Sequence, residues 1–163
     1  ATNMAGRGTD IQLGGNFDMQ IKKIEIEDEK KLDQKEINQI KHNSVREMLK
    51  YFKIKDGLEI HYDGDLPAKS GMGSSSVFVV GLMNLLKNFQ GKKINKRMLA
   101  QKSIYFEQKI LKEAVGSQDQ VAATYGGFNK IIFKIGGGFN VQPITIKKTT
   151  LRKLNKNLLL VYT

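Results

Sequence analysis

The 163-residue chain has no cysteine, only two histidines (His42 and His61), and no apolar run near the roughly 18 residues a membrane-crossing helix needs. Without cysteine it forms no disulfide and no thiolate-ligated metal site, which fits a cytoplasmic setting. Two histidines argue against a His-rich metal centre, and the missing apolar run excludes a transmembrane helix. No charged stretch followed by a short apolar one marks a signal peptide. The first residue is Ala1, and the last six, Leu158 to Thr163, read as a strand in progress, so both ends are expected to be cut.

What is present describes a globular chain of one-domain size, 40% hydrophobic and 8% aromatic, too short for two independent enzyme domains. The net charge of +11 is unevenly placed: residues 1–42 carry seven basic and eight acidic side chains, whereas 43–163 carry 20 and eight. The lysines of the second segment, such as Lys50, Lys53, Lys55, Lys87, Lys92, Lys93, Lys147 and Lys148, are scattered. They form no run of five and have no interleaved aromatic residues of the kind that stack bases, so no nucleic-acid partner is expected. Two readings of the charge are open, a solvated Lys-rich surface or a polyanion surface. A field of this sign attracts a phosphorylated metabolite or a nucleotide in either case.

The patterning predicts mixed helix and sheet. Asp18 to Lys41, without Gly or Pro, sets Ile21, Ile24, Leu32, Ile37 and Ile40 among many charges and reads as a charged helix. Ser44 is placed to cap a helix through Phe52, and Gly57 opens a strand, Leu58 to Tyr62. Apolar residues on almost every face of Gly73 to Phe89 predict a central, buried helix. A helix over Asn95 to Glu113 follows, then the Gly116 loop and a short helix in which Ser117 and Gln120 have capping-box spacing and Gly126-Gly127 ends the run. Phe128 to Lys134 and Phe139 to Ile146 read as strands of a hairpin turning at Gly136-Gly137-Gly138.

The sharpest local feature is Asp65-Leu66-Pro67-Ala68-Lys69-Ser70-Gly71-Met72-Gly73-Ser74-Ser75-Ser76, directly ahead of the buried helix. Gly71 and Gly73 allow a ligand close to the backbone, the serines add hydroxyl donors, and the helix start contributes partial positive charge. It is not a Walker A loop. From spacing alone it is either a phosphate cradle or a glycine turn with a serine helix cap.

Pro67-x-x-x-Gly71-Met72-Gly73-Ser74-Ser75-Ser76 resembles the ATP-phosphate loop of the GHMP kinases. The resemblance continues at Glu107, at Gly116-Ser117-Gln118-Asp119-Gln120 with its acid twelve residues later, and through Ala122 to Asn129, and covers roughly Ile40 to Thr163. The wording is most similar to the branch acting on heptose 7-phosphates. The resemblance implies the family's α+β N-terminal domain, a β-sheet packed against helices, with ATP and Mg2+ as cofactors and a phosphorylated sugar as substrate. Carried over residue by residue, Asp119 is the base or electrostatic anchor at the substrate hydroxyl. Glu107 with Ser74 or Ser75 holds Mg2+, and Pro67, Ala68, Lys69, Ser70, Gly71, Met72, Gly73, Ser74, Ser75 and Ser76 wrap the phosphates.

Each assignment has a structural alternative. Asp119 suits the first turn of its helix through the helix dipole, Glu107 fits a solvated helix face, and Lys69 a solvated loop. His61 and Asp63 either line the sugar pocket or serve the strand.

Ala1 to Asn16, with Ala5-Gly6-Arg7-Gly8-Thr9-Asp10 at its centre, resembles a segment of the second motor domain of the SecA preprotein translocase. The motor's Walker loop, acidic metal site and later arginine motif are absent from the sequence, so this segment is not expected to hydrolyse ATP. A variant of a Gly-Gly-Gly-Thr-Asp turn near the N-terminus of heptose-type kinases is the rival reading. The expected organisation is a SecA-like motor fragment over 1–40, not an independent domain, joined between about Asp33 and Asn43 to a kinase domain over 41–163. The join reads as a fusion or a mis-joined fragment. The resemblance also implies missing first strands and a missing C-terminal domain, hence an inactive fragment. The alternatives in other classes are a piece of the secretion machinery and a non-catalytic nucleotide-binding module.

Overall fold

A computed structural model describes residues 17–23, 34–55, 58–64 and 73–159, grouped into two compact units, 1–126 and 127–163. In the first unit, strand β1 (Phe17–Lys23) pairs antiparallel with β2 (Leu58–Gly64) in continuous register from Phe17↔Gly64 to Lys23↔Leu58. Between them in sequence lie helices α1 (Gln34–Gln39) and α2 (Asn43–Phe52). The buried helix α3 (Ser74–Phe89) follows, then α4 (Lys96–Tyr105), a π-helical turn (Phe106–Ile110) and α5 (Gln118–Tyr125).

Helix α3 is the centre of this unit because its apolar residues leave it no solvated stripe. Phe78, Val79, Val80, Leu82, Met83, Leu85 and Leu86 are all buried, together with Met48, Leu49 and Phe52 of α2 and Leu99 of α4. Each such side chain contributes about 1.5–3 kcal/mol by leaving water. Aromatic edges tie the layers together: Tyr62 of β2 meets Phe78 of α3 edge-on at 5.0 Å, and Tyr51 of α2 meets Phe106 at 5.8 Å.

Several expectations are corrected here. The charged helix read over Asp18 to Lys41 is helical at Gln34–Gln39, but Phe17–Lys23 is a strand. Apolar Phe17, Met19 and Ile21 alternate with polar Asp18, Gln20 and Lys22, the two-residue period of a pleated strand. Helix α2 starts at Asn43 after His42, with Ser44 buried inside the first turn and not capping it. The helix expected to run to Glu113 changes to a π turn at Phe106 and ends at Ile110.

Helix α2 closes with Lys53 in the left-handed conformation (φ 52°, ψ 42°), its N–H on Lys50 and the buried Ile54 N–H reaching back to Leu49 O at 3.0 Å. This is a Schellman closure with a side chain where glycine fits best. Lys53→Gly is expected to stabilise the chain by about 0.5–1 kcal/mol by removing the left-handed strain. A higher urea midpoint at unchanged m-value is the check.

The second unit is a hairpin of β3 (Asn129–Phe133) and β4 (Phe139–Pro143), followed by α6 (Lys148–Lys156). The hairpin turns where expected: Gly136, Gly137 and Gly138 all have positive φ, and Lys134 N–H bonds Gly138 O at 3.1 Å. Helix α6 was not anticipated. It is strongly basic, with none of its residues buried. Of the last expected strand, Leu158 and Leu159 are irregular, and Leu160 to Thr163 lie outside the described residues. Among the described residues, no helix is long and apolar enough to cross a membrane.

Candidate functional site

The start of α3 is set by Gly73, whose φ of +72° turns the chain into the helix and whose carbonyl accepts the first helical bond from Val77 N–H at 3.0 Å. The N–H groups of the first turn have no acceptor within the helix and are available to a ligand. Three successive serines leave this point in three directions. Ser74 is half-buried, Ser75 exposed and Ser76 buried.

Ser76 meets Glu107. The Ser76 Oγ donates to Glu107 Oε2 at 3.1 Å, and Gln120 Nε2 donates to the same oxygen. Three elements, α3, the π turn and α5, thus converge on one carboxylate. The π turn makes this possible: it widens the helix by one residue and sends both Phe106 and Glu107 inward, where each is fully buried. Leu111 N–H closes the turn on Phe106 O, and Glu113 N–H returns to Glu107 O at 2.9 Å across the left-handed Lys112.

Burial pushes the Glu107 carboxyl above the usual range. The hydrogen bonds from Gln120 and Ser76 oppose this, and the nearby charges of Glu113 and Asp119 add to it. The other carboxylate oxygen, Glu107 Oε1, is buried with no hydrogen-bond partner among the described residues, and the same holds for Gln120 Oε1. Two bare oxygens, one on the buried acid and one on its neighbour, suit a hard cation, which takes oxygen ligands.

Asp119 differs from Glu107 in being exposed. It stands in the first turn of α5 against the bare face of Gly73, where a Cβ would lie 3.2 Å from Asp119 Cγ and 3.3 Å from Oδ2. Glycine is therefore required at residue 73 both for its backbone angle and for the acid that sits on it. Gly73→Ala is expected to cost about 1–2 kcal/mol through the left-handed angle alone, and to displace Asp119 as well. Denaturant unfolding measures the first effect, and a titration with Mg·ATP the second.

Of the residues singled out in the sequence, the structure brings together Gly73, Asp119 and Glu107, with the serines at the start of α3. The serine that bonds Glu107 is Ser76; the resemblance gives Ser74 or Ser75 as the serine that shares Mg2+ with it. Pro67, Ala68, Lys69, Ser70, Gly71 and Met72 lie outside the described residues. His61 is exposed on β2 and pairs with Glu59 at 2.7 Å, on the same strand face. Gln120 is the residue that sequence reasoning assigned elsewhere. Its spacing from Ser117 suggested a capping box, but Ser117 makes no side-chain cap, its hydroxyl instead accepting from Gln108 Nε2 at 3.3 Å. Gln120 points to Glu107.

Comparison with known proteins gives two matches along the chain. The profile of the GHMP kinases N terminal domain matches residues 38–127, and that of the SecA P-loop domain matches residues 1–61. D-glycero-alpha-D-manno-heptose 7-phosphate kinase of Campylobacter jejuni is 32% identical over 104 residues, 64% of this chain and 31% of its own length. The chain thus spans about a third of that relative. A SecA translocase subunit of Wolbachia pipientis is 64% identical over 36 residues, 22% of this chain and 4% of its own. Among solved structures, a D-glycero-D-manno-heptose 1-phosphate kinase of Bacteroides thetaiotaomicron superposes with a TM-score of 0.67 at 19% identity, covering 93% of this chain and 60% of that one. The fold is therefore that of the GHMP kinase N-terminal domain. With its profile matched over more than half of its length, this chain belongs to the GHMP kinase family.

Proposed function

We propose that this chain is the ATP-binding part of a sugar kinase that transfers the γ-phosphoryl group of ATP to a hydroxyl of a phosphorylated sugar, a heptose 7-phosphate. The observation that carries the reading is the pair of carboxylates at the start of α3. Asp119 is exposed on the bare face of Gly73, and Glu107 is buried behind it under Ser76 and Gln120. Phosphoryl transfer needs these two roles kept apart: one acid open to the attacking hydroxyl, and one held for the metal.

In this reading Asp119 orients the sugar hydroxyl and takes up its proton. The first turn of α3 and the segment Pro67 to Ser76 receive the phosphates through backbone N–H groups and serine hydroxyls. Glu107, with Ser74 or Ser75, holds Mg2+. No group of three or more metal-ligating side chains occurs among the described residues, and a single carboxylate with a hydroxyl suits Mg2+, which keeps waters and phosphate oxygens as its other ligands. When bound, Mg2+ supplies charge neutralisation at the β- and γ-phosphates. The similarity to the heptose 7-phosphate kinase of Campylobacter jejuni supports the choice of sugar, and a cytoplasmic location accords with a soluble nucleotide substrate.

Residues 1–40 form in this reading a SecA-like fragment without ATPase function, and 41–163 the kinase domain. The 163-residue chain alone is expected to bind Mg·ATP without sustained turnover. Equilibrium titration with ATP, with and without Mg2+, tests the nucleotide site. A coupled ADP-release assay with heptose 7-phosphate and other sugar phosphates tests the chemistry. Metal-dependent ATP binding is the expected result, and its absence in the folded chain would overturn the kinase reading. Robust turnover by the chain alone would overturn the expectation of an inactive fragment.

A further inference from the structure

We propose that Gln120 is a positioning residue for Glu107, anchoring one carboxylate oxygen so that the other is left bare for the divalent cation that accompanies ATP. The inference rests on the kinase reading above and deepens it.

Both donors that reach Glu107, Ser76 Oγ and Gln120 Nε2, address the same oxygen, Oε2. A carboxylate has about four lone-pair positions over its two oxygens. Spreading two donors over both oxygens would satisfy a buried acid more evenly. Concentrating them on Oε2 fixes the group's rotation and leaves Oε1 with full acceptor capacity in a water-poor setting. Carboxylates that bind metal are commonly held in this way by a hydrogen bond from a neighbouring group.

Gln120 is itself fully buried, and its Oε1 has no partner among the described residues. A leucine or methionine at this buried position would avoid leaving that oxygen bare, which costs about 1–3 kcal/mol. Capping does not explain the amide either, because Ser117 and Gln120 do not form a capping box. The remaining role is towards Glu107. With its N–H on Glu107 Oε2, the amide leaves Oε1 of the acid for the cation and contributes affinity for the metal without ligating it.

The test uses the full 163-residue chain and three readouts: ATP affinity in EDTA, ATP affinity with Mn2+, and the thermal midpoint. Gln120→Met keeps the side-chain length and removes the donor. The expected result is an unchanged midpoint or a raised one, unchanged ATP affinity in EDTA, and a fall of about 10–100-fold in the enhancement that Mn2+ gives. In a Glu107→Gln background, Gln120→Met is expected to cause no further loss of that enhancement, because the amide acts only through the carboxylate. Enhancement preserved in folded Gln120→Met, or an equal loss in the Glu107→Gln background, overturns the proposal. Gln120→Asn, which keeps the amide but withdraws it by one methylene, repeats the test if the methionine variant does not fold. Failure of both to fold assigns Gln120 to stability and also overturns it. A folded wild-type chain with no metal-dependent ATP binding overturns the kinase reading and this proposal together, whereas enhancement kept in the variants overturns this proposal alone.

Discussion

Asp119→Asn is expected to abolish phosphoryl transfer while sparing the nucleotide. In a kinase completed with the remaining length of the Campylobacter jejuni relative, the substitution should lower kcat by about 10²–10⁴-fold, the usual worth of a positioned acid or base. Asparagine has the same shape, so the contact with Gly73 survives. The change removes a negative charge beside the proposed phosphate site, so ATP affinity should hold or rise slightly. Steady-state kinetics combined with a separate ATP titration resolve the two effects. Unchanged turnover would remove Asp119 from the reaction. A parallel loss of ATP affinity would make it a binding group.

Glu107→Gln is expected to move stability and metal dependence in opposite directions. The wild-type carboxylate is fully buried, is held above its ordinary pKa range chiefly by desolvation, and has one oxygen without a partner. A glutamine there brings an N–H that can donate to the bare Gln120 Oε1, while its own oxygen still accepts from Ser76 and Gln120. Removing the buried charge and pairing the orphan should raise stability by about 1–3 kcal/mol, or about 2–12 °C in Tm for a chain of this size. The enhancement of ATP affinity by Mg2+ should fall by more than about a hundredfold, beyond the effect of losing an outer hydrogen-bond partner. Thermal melts and paired titrations on the same sample check both. A lower Tm would show that the acid is stabilising and not held at a cost for function.

Part of the site was legible because it is local. Gly73 and the serines after it stand out from their immediate neighbours, whereas Glu107 and Asp119, twelve residues apart, were singled out through the resemblance to the GHMP kinases. The hairpin at Gly136 to Gly138 and the all-round apolar α3 were readable from local pattern. What escaped depends on tertiary contacts. The π turn has no local signature, since it exists to bury Phe106 and Glu107 side by side. Gln120 has the spacing of a cap, and only the packing of α5 on α3 and α4 reveals a better partner. At Phe17–Lys23 the abundant charges downstream suggested one long helix and masked a short two-residue alternation.

That short strand bears on how the chain can be cut. Among the described residues β2 pairs only with β1, and β1 lies within the SecA-like match, ahead of the start of the kinase match at residue 38. A truncation at residue 40 would remove the one strand paired with β2 among the described residues and open the seven-residue backbone edge that β1 covers. Such edges template pairing between molecules. The strand that covers this edge of β2 thus lies ahead of the kinase match, and a chain cut at residue 40 is expected to self-associate more than the full chain, with light scattering of the two forms as the check.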